Sequence, residues 1–325
     1  MTEEAAAGPL TGIAATLADS SASFAQIAAR HFADDAWPLF YLHLATSVEL
    51  LGKAALAKTN PVYISGGDFD SLLHLTGNGR RARAPEFVAA VKTIAASESF
   101  KRLPQVVDGY RAHGKLIDTL FDRRNGVAHA GTLVRGQEDA ILGEVGRYVG
   151  PLLDHLGRTA EQHWGTAAAL VAEHAERRRD EIEASYQQRV ASARLRYEAW
   201  VATVGEAALP AILATREPDG PESDFSAFPV ECPACGHLGL LHGEAEADWE
   251  ADWDVADGEA FFAGMYVNGI SLSGHGFECS VCRLALDEDE LALAGLDSRV
   301  FTDDDFDADR AYRHFRDQED DYVDY

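Results

Sequence analysis

Apolar residues recur at helical spacing through the first half of the chain. Between Ala36 and Lys58 they fall at Phe40, Leu44, Val48, Leu51 and Ala55, which places them on one face of a helix. The breaker pair Asn60-Pro61 ends it. The same period predicts helices from Phe87 to Ala96, Val106 to Phe121 and Ile141 to Leu156. Short connections between amphipathic helices predict an antiparallel bundle. A longer pattern follows, through Trp164, Ala168, Val171, Ala175, Ile182, Tyr186, Val190, Ala193, Tyr197, Trp200 and Val204, interrupted by Arg178. Its alternating threes and fours predict a coiled-coil-like helix from Glu161 to Val204, spanning about 65 Å at 1.5 Å per residue if continuous. Pro210 and the Pro218–Pro221 stretch then mark a linker. The chain is therefore expected to be mainly α, with a bundle over 1–156, a long linking helix over 157–210 and a separate module over 211–325.

The last module carries all four cysteines, as Cys232-Pro233-Ala234-Cys235 and Cys279-Ser280-Val281-Cys282. Two C-x2-C pairs with none left over point to a structural zinc site of four thiolates, and so to a small β-rich zinc ribbon. Gly236 suits the tight turn after the first pair. The 43 residues between the pairs exceed the usual ribbon spacing, so an insertion is expected there. Redox-active C-x-x-C is the competing reading, and His237, His242 and His275 could substitute as ligands.

Charge divides the molecule. From Arg216 onward there are 29 acids against six arginines, a net −23 of the chain's −26. Between Gly79 and Arg135 eleven Lys or Arg face five acids, a net +6. A basic island in an acidic protein is the footprint of a phosphate-binding surface; a solvated arginine-rich loop is the alternative, above all for Arg80, Arg81 and Arg83. An acidic ribbon would repel polyanions, so it reads as a structural or protein-interaction module, or as a solubilising surface. Tethered near a basic patch, it could also occlude that patch. No apolar run reaches membrane-spanning length, and Met1-Thr2-Glu3-Glu4 lacks the positive region of a secretory signal. With paired thiols, this predicts a cytoplasmic protein.

Inside the basic island lies Arg124-Asn125-Gly126-Val127-Ala128-His129. Arginine holds a phosphate through a two-pronged contact, the amide can orient a hydroxyl, and histidine moves protons near neutral pH. Arg158 and His163 share a similar spacing, but without the Asn after Arg. The alternative is that Arg124 and His129 cap a helix end. Glu49 and Lys53 form an i,i+4 pair of favourable polarity, a pattern that is most often surface decoration. His43, on the same helix, reads as a satisfied or half-exposed histidine.

The string RRNGVAHAG resembles the R-N-x3-H signature of the HEPN (higher eukaryotes and prokaryotes nucleotide-binding) superfamily. Leu44 to Leu56, with Glu49 and Lys53 one turn apart, is similar to that family's early helix. The resemblance covers roughly residues 10 to 155. It implies an all-helical bundle that forms a homodimer with two motifs facing across a composite cleft, and a metal-independent endoribonuclease of toxin or antiviral defence systems. Arg124, Asn125 and His129 would be catalytic; Arg123, Lys115, Glu49 and Lys53 would bind the RNA substrate. Attack by the ribose 2′-hydroxyl needs no metal, and zinc would be structural only. Where one subgroup carries the Tyr that is nucleotidylated, this chain has Gly131, so that silencing route is not expected. A non-catalytic RNA- or protein-binding scaffold with a ribbon adaptor, whose acidic region takes a protein partner or inhibitor, is the rival. A transcription-associated factor with a coincidental motif is a third reading.

Overall fold

A computed structural model describes residues 9–81, 91–108, 110, 115–205, 207–256, 259–302 and 304–322. The chain divides into two compact units, Met1–Arg179 and Asp180–Tyr325. The boundary falls inside a helix rather than in a linker.

The first unit is a helical bundle. Helices α1 (Pro9–Ala33) and α2 (Trp37–Thr59) form an antiparallel pair, and α1 offers α2 the small residues Ala14, Ala18, Ser21, Ala25 and Ala28. Small side chains let the two helices approach closely. At the contact, Ser21 Oγ donates to the Ser47 carbonyl and Ser47 Oγ to that of Ser21. α2 is the central helix: Phe40, Tyr41, Leu44, Val48, Leu51, Ala55 and Leu56 are fully buried. Pro38 sits in its first turn, where a missing N–H costs nothing. At its end Asn60 accepts from Val62 N to open a short 3-10 turn, Pro61–Ile64. Around α2 pack α3 (Phe69–Leu75), α4 (Ala96–Arg102), α5 (Lys115–Asn125) and α6 (Glu138–Leu156). α7 (Ala160–Trp164) and α8 (Ala168–Val204) follow.

Three expectations shift. Residues 91–95 are not helical: Ile94 N donates to the Ile64 carbonyl and Thr93 bridges Ser65, so this backbone finds its partners across the chain, and helix begins at Ala96. The Phe87 end of that expected helix lies outside the described residues. Of the helix expected from Val106 to Phe121, residues 106–108 and 110 are not helical, helix is described from Lys115, and residues 109 and 111–114 lie outside the described residues; Pro104 sits in a 3-10 turn after α4, and Val106 and Val107 donate to Leu103 O to close it. The helix expected from Glu161 to Val204 breaks at Gly165, whose φ of +59° is left-handed. Thr159 and Gln162 form a capping box that starts the short α7, and α8 restarts at Ala168. The first turns of α8 pack on α6 at two glycines, since a Cβ on Gly143 would lie 2.5 Å from the His174 carbonyl and one on Gly146 2.9 Å from Val171.

The second unit is built on a five-stranded antiparallel sheet: β1 (Ala227–Glu231), β2 (Leu238–Ala256), β3 (Glu259–Glu278), β4 (Ala285–Asp287) and β5 (Ser298–Thr302). β2 and β3 form a long hairpin, β1 pairs with β2, and both β4 and β5 pair with β3. The insertion expected between the cysteine pairs is this hairpin. Alternation of acid and apolar residues from Glu244 to Glu250 follows the strand period: Glu244, Glu246, Asp248 and Glu250 are exposed, while Ala245, Ala247 and Trp249 are half-buried. Trp249 meets Tyr312 of α11 (Ala308–Tyr322) edge-on at 5.7 Å. Phe225, Phe228, Leu241, Ile270 and Phe277 fill the core, joined by Val190 and Ala193 from the later turns of α8. α9 (Leu209–Leu213) and α10 (Glu288–Ala294) complete the unit. Among the described residues no helix is long and apolar enough to cross a membrane.

Candidate metal centre and basic turn

The two cysteine pairs form matching knuckles. In the first, Cys232 N donates to His237 O and Gly236 N to Cys232 O. In the second, Cys279 N donates to Leu284 O and Arg283 N to Cys279 O, with the same spacing. Each knuckle turns through a left-handed residue directly after its second cysteine, Gly236 at φ +73° and Arg283 at φ +59°. Backbone N–H groups face the sulfurs in the same pattern, from Ala234, Cys235 and His237 in one knuckle and Val281, Cys282 and Leu284 in the other.

β1 and β2 present the first knuckle, β3 and β4 the second, and the hairpin brings them together. All four Sγ atoms lie within 4.8 Å of one another, with Cys232 to Cys282 at 3.6 Å and Cys235 to Cys279 at 3.7 Å. Those separations are too long for a disulfide, whose sulfurs lie about 2.05 Å apart. They match the roughly 3.8 Å edge of a tetrahedron with Zn–S bonds near 2.3 Å. The donor set fits zinc. As bare thiols the four would share charge unevenly: hydrogen bonds from Cys232 and Cys282 hold Cys279 down at about 2, while burial pushes Cys235 up to about 12. A dication at the centre stabilises all four as thiolates.

His237 is engaged on both ring nitrogens, with Nε2 2.7 Å from Tyr197 Oη and Nδ1 2.7 Å from Glu217 Oε1. It braces the first knuckle instead of supplying a ligand, and among the described residues neither His242 nor His275 joins the four sulfurs. Two arginines of α8 hold the knuckles from one side. Arg194 donates to Pro233 O, and Arg196 donates to the carbonyls of both Cys282 and Arg283. Nothing in the sequence distinguishes these arginines, since they read as solvated positions of a charged helix.

In the first unit, Arg123, Arg124 and Asn125 form the last turn of α5. Gly126–Ala130 continues as a π turn, a wider coil that often accompanies functional positions, and ends at Gly131 with φ +62°. Thr132 N and Gly131 N both donate to Gly126 O to close it. Asn125 and His129 are exposed. Arg124 lies over the Phe121 ring at 5.4 Å with its Nε buried. Arg123 turns the other way, over the Tyr41 ring at 5.6 Å, and donates to Gln137 Oε1 at 2.9 Å. Beside it, Glu138 accepts from Gly136 N. Burial of Glu138 opposes its charge, but bonds from its own backbone N–H and that of Gly136, with Arg135 and Arg123 nearby, hold its carboxyl below the usual range. Burial, with Glu138 close by, pushes Tyr41 up to about 12. Arg123 therefore anchors the turn that displays Asn125 and His129.

The remaining candidates do not gather there. Lys115 is exposed at the opposite end of α5, about 15 Å along the helix. Lys53 is buried in α2, 2.7 Å from Glu49 and 3.0 Å from Thr93 Oγ1, and so ties the 91–95 segment to the central helix. His43 Nδ1 donates to the Leu39 carbonyl, and its ring stacks on His31. Arg83 and Arg111, part of the basic island, lie outside the described residues. Comparison with protein-family models, curated proteins and solved structures finds no match to this chain.

Proposed function

We propose that the first unit is an RNA-cleaving module acting through Arg124, Asn125 and His129, and that the second is a zinc-stabilised module that takes a protein partner. The observation that carries this reading is the placement of the three residues on one helix end and its π turn, with His129 and Asn125 open to solvent. Open groups suit a site completed by a second copy of the chain. In the reaction, His129 takes the proton of the ribose 2′-hydroxyl, whose oxygen attacks the adjacent phosphorus. The bond from phosphorus to the 5′ oxygen breaks, and that oxygen takes up a proton. Arg124 offsets the charge that builds on the phosphoryl oxygens, and Asn125 orients the substrate.

A second reading is favoured by Arg124 itself. Its place over Phe121, with Nε buried, equally suits a side chain that packs the helix end in a non-catalytic scaffold. Incubating the purified protein with RNA in the presence of chelator separates the two. Cleavage to 2′,3′-cyclic phosphate and 5′-hydroxyl ends supports the enzyme; intact RNA under conditions where the protein dimerises supports the scaffold.

A further inference from the structure

The two knuckles differ in the residue that makes the left-handed turn, and in the second knuckle that residue lies beside a cleft. Both need a left-handed residue after the second cysteine. The first knuckle uses Gly236, which adopts that conformation without steric cost. The second uses Arg283 at φ +59°, where an L side chain is strained by about 1 kcal/mol or more. The Arg283 side chain is exposed and meets no carboxylate or carbonyl among the described residues, so nothing inside the fold recovers that cost.

Arg283 lines a cleft of about 420 Å³ within the second unit, together with Ser185, Gln188, Arg189, Ser192 and Arg196. That size falls in the range of about 300–1,000 Å³ typical of small-molecule sites. Arg196 is fixed by the carbonyls of Cys282 and Arg283, neutral partners that leave its charge unpaired. Arg189 is already paired with the carboxylates of Asp287 and Glu290, two acids to one cation, so that edge adds no positive charge to the cleft. A strained arginine, a second arginine held in place and Ser192 therefore line one opening. They do so in a unit whose chain from Arg216 onward sets 29 acids against six arginines.

We infer that this cleft binds a phosphate group of a small molecule. Guanidinium forks match phosphate oxygens in pairs, and two cations reward a dianion more than a carboxylate. The surrounding negative charge sets the size of the ligand: repulsion grows with each added phosphate, which selects a short anion over a nucleic-acid strand.

The test uses the full-length zinc-containing protein carrying Arg124→Ala, so that the basic turn of the first unit contributes less to binding. Inorganic phosphate, adenosine monophosphate and acetate are titrated calorimetrically. Phosphate or the nucleotide should bind and acetate should not; a tighter nucleotide would indicate that the organic part is recognised too. Arg283→Gly removes the charge while relieving the strain, so it should fold with full zinc content yet weaken binding about tenfold or more, the loss expected for a charged hydrogen bond. Arg283→Asn, whose side chain tolerates left-handed backbone, should behave alike and serves if the glycine variant misfolds. Absence of binding by either phosphate probe, equal binding of acetate, or undiminished binding in the Arg283 variants would overturn the inference.

Discussion

The cysteine cluster and the basic turn are both short motifs, yet they depend on their surroundings in opposite ways. Each knuckle supplies its own sulfurs, its own N–H donors and its own left-handed residue within six positions. Little is left for the rest of the fold to do except bring two finished halves together. The basic turn supplies three side chains and leaves two of them in solvent. What those can accomplish depends on the groups that meet them from outside. A buried closed site thus carries its chemistry in its spacing, whereas an exposed motif carries only part of it.

The strongest way to break this contrast is to remove the metal. Structural zinc contributes on the order of 10–16 kcal/mol in small thiolate sites, more than the roughly 5–15 kcal/mol stability of a whole domain. Cys279→Ser, or refolding in chelator, should therefore abolish cooperative unfolding of the second unit while the helical signal of the bundle persists. Circular dichroism and hydrogen exchange resolve the two. Native protein with no bound zinc and an unchanged melting profile would rule out the metal centre.

Next in size is the effect on catalysis. His129→Ala or Arg124→Ala should lower RNA cleavage by about 10²-fold or more, the range of a lost general base or a lost phosphate-stabilising charge, with dimerisation unchanged in sedimentation. Full activity in both variants would remove the turn from the chemistry. Lys53→Met is the useful contrast. It breaks a buried ion pair, so its expected damage is to folding, and an activity loss without a stability loss would return Lys53 to the site.

Legibility in the sequence follows the same division. The central helix, the bundle and the cysteine cluster are readable because apolar period and C-x2-C spacing are local properties. The segments on either side of α4 are not, because Ile94 bonds to Ile64 and Val106 and Val107 bond to Leu103, and long-range or 3-10 partners leave no periodic trace. α1 escapes notice as a separate element because its buried stripe is alanine and serine, which carry little hydrophobic contrast. Arg194 and Arg196 are hidden for a further reason: their role is to reach carbonyls some 40 to 90 residues away.

A smaller effect separates the units by pH. His163 is buried in the bundle, with Nε2 3.5 Å from Ser47 Oγ, and burial, with Arg158 adding to it, lowers it from 6.5 to about 4. The unfolded chain therefore takes up this proton first as pH falls. Bundle stability attributable to His163 is complete above about pH 6.5, declines between 6.5 and 4, and is reduced by about 3 kcal/mol below that window. His163→Gln should flatten this part of the pH dependence, measured as the difference in urea midpoints between wild type and variant. An unchanged slope would mean that the histidine is solvated or paired in the folded state.

The smallest effect compares the knuckles with each other. A Cβ on Gly236 would meet only Glu231 Oε1, at an ordinary 3.8 Å, so Gly236→Ala changes conformational preference with little change in packing. At φ +73° it should destabilise the second unit by about 1 kcal/mol. Arg283→Gly should stabilise it by a similar amount, because the unbonded arginine stands at the matching position. Opposite signs in equilibrium unfolding of the zinc-loaded protein would establish that the two knuckles share one backbone and differ in what the second gives up to place a guanidinium. Equal signs would mean that side-chain contacts, not backbone strain, decide the residue at this turn.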